Sequence, residues 1–349
     1  MTSRIRSVAA ISCAAVLSAA SLAGVKYSLA GSFTLADGLA SVDSLADGRL
    51  IGVRADGALL AQTSVNSSSW AQVGAIDAAL LNSFGPSFLA VTPDGSRIAI
   101  GDGNFGAGAS ILVFDTASLN PMSVSGVTSI ALGSYTGSWL NNSSLLVSGG
   151  DANGAYVAEL DAGVFTTRLL VNDVGGASGG ISTDGTTLYT GNGFDFDTKG
   201  GSETGEVRGF DLAALLAGAE PESFETTGIP VADALSAGSL AIDSLGNLII
   251  GGSDFFSGGE SGFFAVVGAD LLADALAGGG IVPNSLEAML DPSNGSANGY
   301  FVLFNDATNE AIAVADGVAY RYTVPTPGAL GVFGFAGTLC ARRRVRASR

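Results

Sequence analysis

Phe88-Leu-Ala-Val-Thr-Pro-Asp-Gly95 runs into Arg97-Ile-Ala-Ile-Gly101, and Ser110-Ile-Leu-Val-Phe-Asp115 follows a few residues later. The stretch reads as strand, tight turn, strand, loop, strand. Its apolar runs are four to six residues long, rich in Ile, Leu, Val and Phe, and bounded by turn residues. Asp-Gly marks the hairpin, because both central positions of such a turn accept positive φ.

The same order recurs along the chain. Asp47-Gly48 precedes Arg49-Leu-Ile-Gly-Val53, and Asn141-Asn142 precedes Leu145-Leu-Val-Ser-Gly149. Asp184-Gly185 precedes Thr187-Leu-Tyr-Thr-Gly191, Leu245-Gly246 precedes Asn247-Leu-Ile-Ile-Gly251, and Asn298-Gly299 precedes Tyr300-Phe-Val-Leu-Phe304. From turn to turn the intervals are 47, 47, 43, 61 and 53 residues. The upstream strand repeats as Gly179–Thr183 and Ser239–Asp243, and the downstream strand as Tyr156–Asp161, Glu206–Asp211 and Gly262–Val267. A period of 40–60 residues with about four strands is the mark of a β-propeller blade. A β-sandwich would not repeat this order, and β-helix coils are shorter. The expected fold is therefore all-β: a β-propeller of six blades, seven if Lys26–Ala36 supplies further strands. The ring is expected to close by pairing of a strand near Phe33 with Val318–Thr323. Three short helices are expected on the rim, each beginning at an Asp: Asp77–Leu81, Asp211–Ala217 and Asp270–Leu276. Asp115, Asp161 and Asp211, which end strands, read as turn and cap residues.

Both ends of the chain look different. Arg4 and Arg6 precede an apolar Ala/Ser-rich run from Val8 to Val25, the layout of a secretory signal peptide over residues 1–30. Small residues suited to cleavage stand at Ser21/Ala23 and at Ser28/Ala30, and both sites stay open. The alternative is an uncleaved anchor, for which this run is weakly hydrophobic. The propeller-like domain would then span 31–323. Beyond it come Val324-Pro325-Thr326-Pro327, an uncharged run to Ala341, and Arg342-Arg343-Arg344-Val345-Arg346. Counted from Val324 to Ala341 the uncharged run is 18 residues, the lower limit for a membrane span, and the Arg cluster would keep the end cytoplasmic.

This tail, over residues 324–349, resembles a PEP-CTERM sorting signal: a Pro-x-Pro motif, a short Gly/Ala/Leu/Phe hydrophobic helix and a terminal Arg cluster. Thr326 stands where that family usually has Glu. The resemblance implies a bacterial protein handed to the cell surface or extracellular matrix and processed by an exosortase-like membrane protease. It covers the tail alone.

Charge follows the same division. The 349 residues carry 15 Lys+Arg and 32 Asp+Glu, net −17, but all the acids lie between Asp37 and Asp316. The domain over 31–323 holds only seven bases (Arg49, Arg54, Arg97, Arg168, Lys199, Arg208 and Arg321) against all 32 acids, so it carries −25. Such a surface repels nucleic acid, and no nucleic-acid partner is expected. The chain has no His, so a Ser–His or Cys–His pair and a His metal ligand are excluded. Cys13 and Cys340 fall in the two end segments, leaving the domain without a disulfide.

The best candidate for bound metal is Asp195-Phe-Asp197-Thr-Lys199-Gly200-Gly-Ser-Glu203-Thr-Gly-Glu206. It has the spacing of an EF-hand-type loop, with oxygen ligands at positions 1 and 3, Gly at 6 and Glu at 12. Asp195, Asp197, Glu203 and Glu206 would hold Ca2+. Lys199 at position 5 is no ligand, and the competing reading is an acidic Gly-rich loop. Asp102 and Phe105 in the second unit, with Asp254, Phe255 and Glu260 in the fifth, occupy equivalent loops. Together with Asp195 and Phe196 they could form one acidic, aromatic face for a cation or sugar hydroxyls. The bland alternative is aromatics packed between blades and solvated carboxylates. The expected function is non-enzymatic: binding or scaffolding toward extracellular polysaccharide, surface proteins or divalent cations. The alternative is a carboxylate-based hydrolase or lyase of extracellular polysaccharide.

Overall fold

The structure is a computed structural model, and it describes residues 27–324 apart from 82–84, 104–107, 151–152, 175–176, 195–204, 235, 255–260, 282–287, 291 and 293–299. Within these residues the strands form six antiparallel sheets. The first blade is β2 (Leu39–Ser44), β3 (Leu50–Arg54), β4 (Ala58–Gln62) and β5 (Trp70–Ala75). The second is β6 (Phe88–Val91), β7 (Arg97–Gly101), β8 (Ile111–Asp115) and β9 (Thr128–Ile130). The third is β10 (Thr136–Asn141), β11 (Ser144–Gly149), β12 (Gly154–Asp161) and β13 (Val164–Asn172), with β17 (Glu222–Ser223) added in parallel at its edge. The fourth is β14 (Ala177–Thr183), β15 (Thr187–Phe194), β16 (Gly205–Asp211) and β18 (Ile229–Ala234). The fifth is β19 (Ser239–Ile242), β20 (Leu248–Asp254), β21 (Ser261–Val267) and β22 (Ala288–Leu290). The sixth joins the two ends of the domain: β23 (Phe301–Asn305), β24 (Glu310–Ala315) and β25 (Val318–Thr323), completed by β1 (Ser28–Thr34).

The first strand of each blade touches the first strand of the next, from β2 through β6, β10, β14, β19 and β23 back to β2. The fold is thus a closed six-bladed β-propeller, as the repeat predicts. Closure comes from β1 against β25, with Phe33 opposite Ala319 and Ser28 opposite Thr323. The closing strand begins at Ser28, inside the stretch 1–30 assigned to the signal peptide.

Ring architecture explains the continuous apolar runs. Each sheet is sandwiched between two neighbours, so its middle strands are buried on both sides. β11 is buried along its whole length, and Ile98, Ile100, Leu248 and Ile250 are fully covered. The core divides into six apolar clusters, one between each pair of adjacent blades. Ile51, Leu59, Ile98 and Phe114 fill the first junction; Phe264, Val302 and Tyr322 fill the fifth. Gly137 on β10 is dictated by this packing, because a Cβ there would lie 2.5 Å from the ring of Phe88 on the preceding blade.

Polar contacts also stitch the inner strands together. Leu89 N–H donates to Ser41 Oγ at 2.9 Å, Val302 N–H to Ser239 Oγ at 2.8 Å, and Trp139 Nε1 to the Ala90 carbonyl at 3.1 Å.

Three local expectations need correction. In the Asp-Gly turns only the glycines take positive φ (Gly48 85°, Gly95 71°, Gly185 89°), so the Asp residues keep ordinary backbone and accept hydrogen bonds instead. The sixth unit is shifted in register. Phe301–Asn305 is the inner strand, not the second, and its hairpin turn is Asp306–Asn309, with Asn309 at φ 52° in the role glycine plays elsewhere. Finally, α2 (Ala269–Asp274) is capped by Gly268, with Asp270 inside its first turn. Asp211 does cap α1 (Leu212–Ala217), accepting from Ala214 N–H at 2.9 Å, and Asp77 accepts from Ala79 N–H at 3.0 Å to cap a 3-10 turn.

Candidate functional site

The inner strands all run the same way along the axis, which gives the ring two unlike faces. One carries the turns between first and second strands and between third and fourth strands. The other carries the second-to-third connections and the passages between blades.

On the first of these faces the axis opens into a cavity of about 480 Å³. Its wall mixes polar and apolar groups, with Leu89, Ile181, Leu240 and Leu303 contributed by different blades and Thr92, Thr136 and Ser239 among them. Its mouth holds Asp43, Asp243 and Asp306 from the first, fifth and sixth blades. Asp43 sits at the end of β2, partly buried. Its Oδ1 accepts from Ser44 N–H and its Oδ2 from Val91 N–H, both at 2.7 Å. Burial pushes its carboxyl up to about 7; those two amides oppose the rise, and the Asp306 charge adds to it. Partial desolvation at the rim also raises Asp306. Asp243 is buried and organises its own turn. Oδ1 accepts from Leu245 and Asn247 N–H, and Oδ2 from Asn247 Nδ2 and the hydroxyl of Tyr27. Tyr27 is raised above the ordinary phenol range, first by burial and then by Asp243. Two of the three acids are thus committed to backbone, and Asp306 stands exposed at the rim. Among the described residues no three Asp or Glu side chains gather closely enough to hold a metal ion.

A second cavity of about 630 Å³ opens on the opposite face, between Leu35–Leu39, Ser236–Ser239 and Ala315–Gly317. The three loops proposed as an acidic face also leave from this side, since each joins a second strand to a third: β7 to β8, β15 to β16 and β20 to β21. Asp102 is buried, its Oδ2 accepting from Ser110 N–H at 2.9 Å and from Ser110 Oγ at 3.3 Å, so it pins the two ends of its loop. Glu206, the twelfth position of the EF-hand-like loop, pairs with Arg208 at 3.0 Å. Asp254 ends β20 opposite Ser261. Asp195, Asp197, Glu203, Phe105, Phe196, Phe255 and Glu260 lie outside the described residues, as do Pro325, Thr326, Pro327, Arg342, Arg343 and Arg344.

Sequence inspection missed Asp43, Asp306 and the Tyr27–Asp243 bond. One signal was available: Ser41 and Asp43 alternate on an inner strand, placing two acceptors on the side that meets the next blade.

No protein-family model and no curated protein matches the sequence. Solved structures do match the fold. The WD40 β-propeller domain of Doa1 is 10% identical over 85% of this chain and 97% of that domain, with a TM-score of 0.50. The WD40 domain of Neurospora crassa Pan2 is 11% identical over 87% of this chain and 97% of that one, also with a TM-score of 0.50. At that identity the likeness extends to the β-propeller architecture and no further. Among the described residues no helix is long and apolar enough to cross a membrane; the hydrophobic stretches at the two ends lie outside them.

Proposed function

We propose that this chain is an exported bacterial β-propeller with a non-enzymatic binding or scaffold role, displayed at the cell surface or in the extracellular matrix. It reaches that place through its N-terminal signal and its PEP-CTERM-like tail, with an exosortase-like protease as processing partner and the membrane as a transient tether.

The observation that supports this most is where the ends leave the ring. Ser28 pairs with Thr323, so the basic-apolar segment before Tyr27 and the tail after Val324 depart side by side from the sixth blade. Both depart on the face with the axial cavity. A tether there would turn that face toward the membrane and leave the loop-bearing face outward for surface proteins or polysaccharide. Fractionation of the native host with C-terminal mapping tests the proposal. A mature chain ending near Pro327 supports it, and an intact Arg tail in the inner membrane replaces it with a plain anchor.

Calcium enters this proposal only through residues 195–206, where it would have to take Glu206 from Arg208. Millimolar calcium is then expected to raise the melting midpoint and EGTA to reverse the rise. An unmoved midpoint removes calcium from the proposal.

One observation favours the enzymatic alternative. Asp43 and Asp306 face one cavity from two blades, and a carboxyl near pH 7 suits a general acid. Against it, both Asp43 oxygens already accept backbone amides, one from the adjacent Ser44 and one from Val91 across the first blade junction. Polysaccharide cleavage abolished by Asp43→Asn would establish the alternative.

A further inference from the structure

We infer that the N-terminal processing point is the bond between Ala23 and Gly24, and that the residues from Tyr27 to Ala30 stay with the folded chain. This rests on the export proposal above and chooses between two cleavage sites that the sequence leaves equal.

The other site, Ala30–Gly31, lies inside β1. A cut there removes the part of the closing strand in which Ser28 faces Thr323 and Leu29 faces Tyr322. Only the pairs from Gly31–Arg321 to Thr34–Val318 would remain, beyond the register shift between Leu29 and Gly31. It also removes Tyr27. That ring packs on the apolar cluster between the fifth and sixth blades, which contains Phe264, Val302, Tyr322 and Val324. The Tyr27 hydroxyl reaches across to Asp243 in the turn of the fifth blade, so this one residue ties the closing strand to the neighbouring sheet.

Charge points the same way. Arg321 Nη1 stands 3.8 Å from where a Cβ on Gly31 would lie, so a chain starting at Gly31 would set its ammonium beside a guanidinium. A start at Gly24 places the ammonium ahead of Tyr27 and leaves the closing strand whole. A propeller has no covalent closure here, and its ring is held only by this strand and the blade contacts. Losing the latch therefore loosens the one seam where the two ends of the domain meet.

The test uses the full-length chain produced in an exporting bacterial host, with the N-terminus of the recovered protein read by intact mass and N-terminal sequencing. A chain beginning at Gly24 is the expected result. A chain beginning at Gly31 or later overturns the inference while leaving export in place. A chain beginning at Met1 in the cytosol overturns the export proposal and this inference with it. Tyr27→Ala in the same full-length chain gives a second readout. If Tyr27 is retained, the mature protein should melt lower by about 3–6 °C. If it is discarded with the signal, the variant and parent products are identical and melt together, which also overturns the inference.

Discussion

Arg208 is the most deeply placed cation among the described residues, 5% exposed on β16. Its Nη1 donates to the carbonyls of Phe224 and Glu225, each at 2.7 Å, and its Nη2 to Glu206 and Glu225 at 3.0 and 3.2 Å. The guanidinium also lies 5.0 Å from the centre of the Phe224 ring. One side chain thus holds the 224–228 segment against the fourth blade. Arg208→Met keeps the stem but strands two carbonyls and two carboxylates. It should lower stability by about 3–5 kcal/mol in urea unfolding. Arg208→Lys keeps the charge without the planar fork and should recover only part of the loss.

Asp43 makes a different prediction, in pH. Its carboxyl rises from 3.8 to about 7 on folding, so between those values the folded chain binds more protons than the unfolded one. Stability should therefore fall as pH rises from about 4 to about 7 and level off above. The charge of −25 contributes a slope of the same sign through self-repulsion. The diagnostic is the comparison with Asp43→Asn: the difference between its urea midpoints at pH 5 and pH 8 should be smaller than in the parent. Equal differences would remove Asp43 as the source. Asp184 works in the opposite sense at lower pH. Burial raises it, but amide N–H groups of Thr187 and Thr186 outweigh burial and hold it below its usual value. Its contribution is lost as pH falls below about 4.

Among the elements, α1 shows how little local sequence a rim helix needs. Asp211 caps it and Leu212 and Leu215 anchor it. Arg168 of the third blade donates to its last carbonyls, those of Leu215, Leu216 and Gly218, at 2.9–3.0 Å. Asp211→Ala should cost about 1 kcal/mol, the ordinary value of a lost N-cap. The inner strand β10 is governed by fit instead. Gly137→Ala drives a methyl into Phe88 across a blade junction, and a loss of about 1–3 kcal/mol is expected from thermal unfolding. The two changes separate a surface cap from a packed junction.

At the scale of the whole molecule, repetition was readable because every blade solves the same problem. A sheet buried on both faces needs unbroken apolar strands, and its hairpins need a residue tolerant of positive φ. Ile98-Ala-Ile100, Leu145-Leu-Val147 and Leu248-Ile-Ile250 announce the first requirement, and Gly48, Gly95 and Gly246 the second. The sixth blade misled because its turn uses Asn309 rather than glycine, while an Asn-Gly pair lies just ahead of its first strand. Of the candidate site, the loop acids were visible as composition. The axial acids were not, because Asp43, Asp243 and Asp306 are 63 to 263 residues apart and meet only when the ring closes.

The sequence by itself determined the class of fold, a run of six repeat units with a seventh left open, and the contrast between an anionic domain and two basic ends. All three follow from local chemistry: strand periodicity, turn residues and charge. Only the tertiary structure decided that Ser28–Thr34 belongs to the sixth blade, that Tyr27 bonds to Asp243, and that Glu206 is taken by Arg208. The first two join residues far apart in the chain, and the third pairs two residues of β16 only because the fold brings Glu225 and the Phe224 carbonyl onto the same guanidinium. No local pattern encodes which distant partner will share a low-dielectric junction once six sheets have packed.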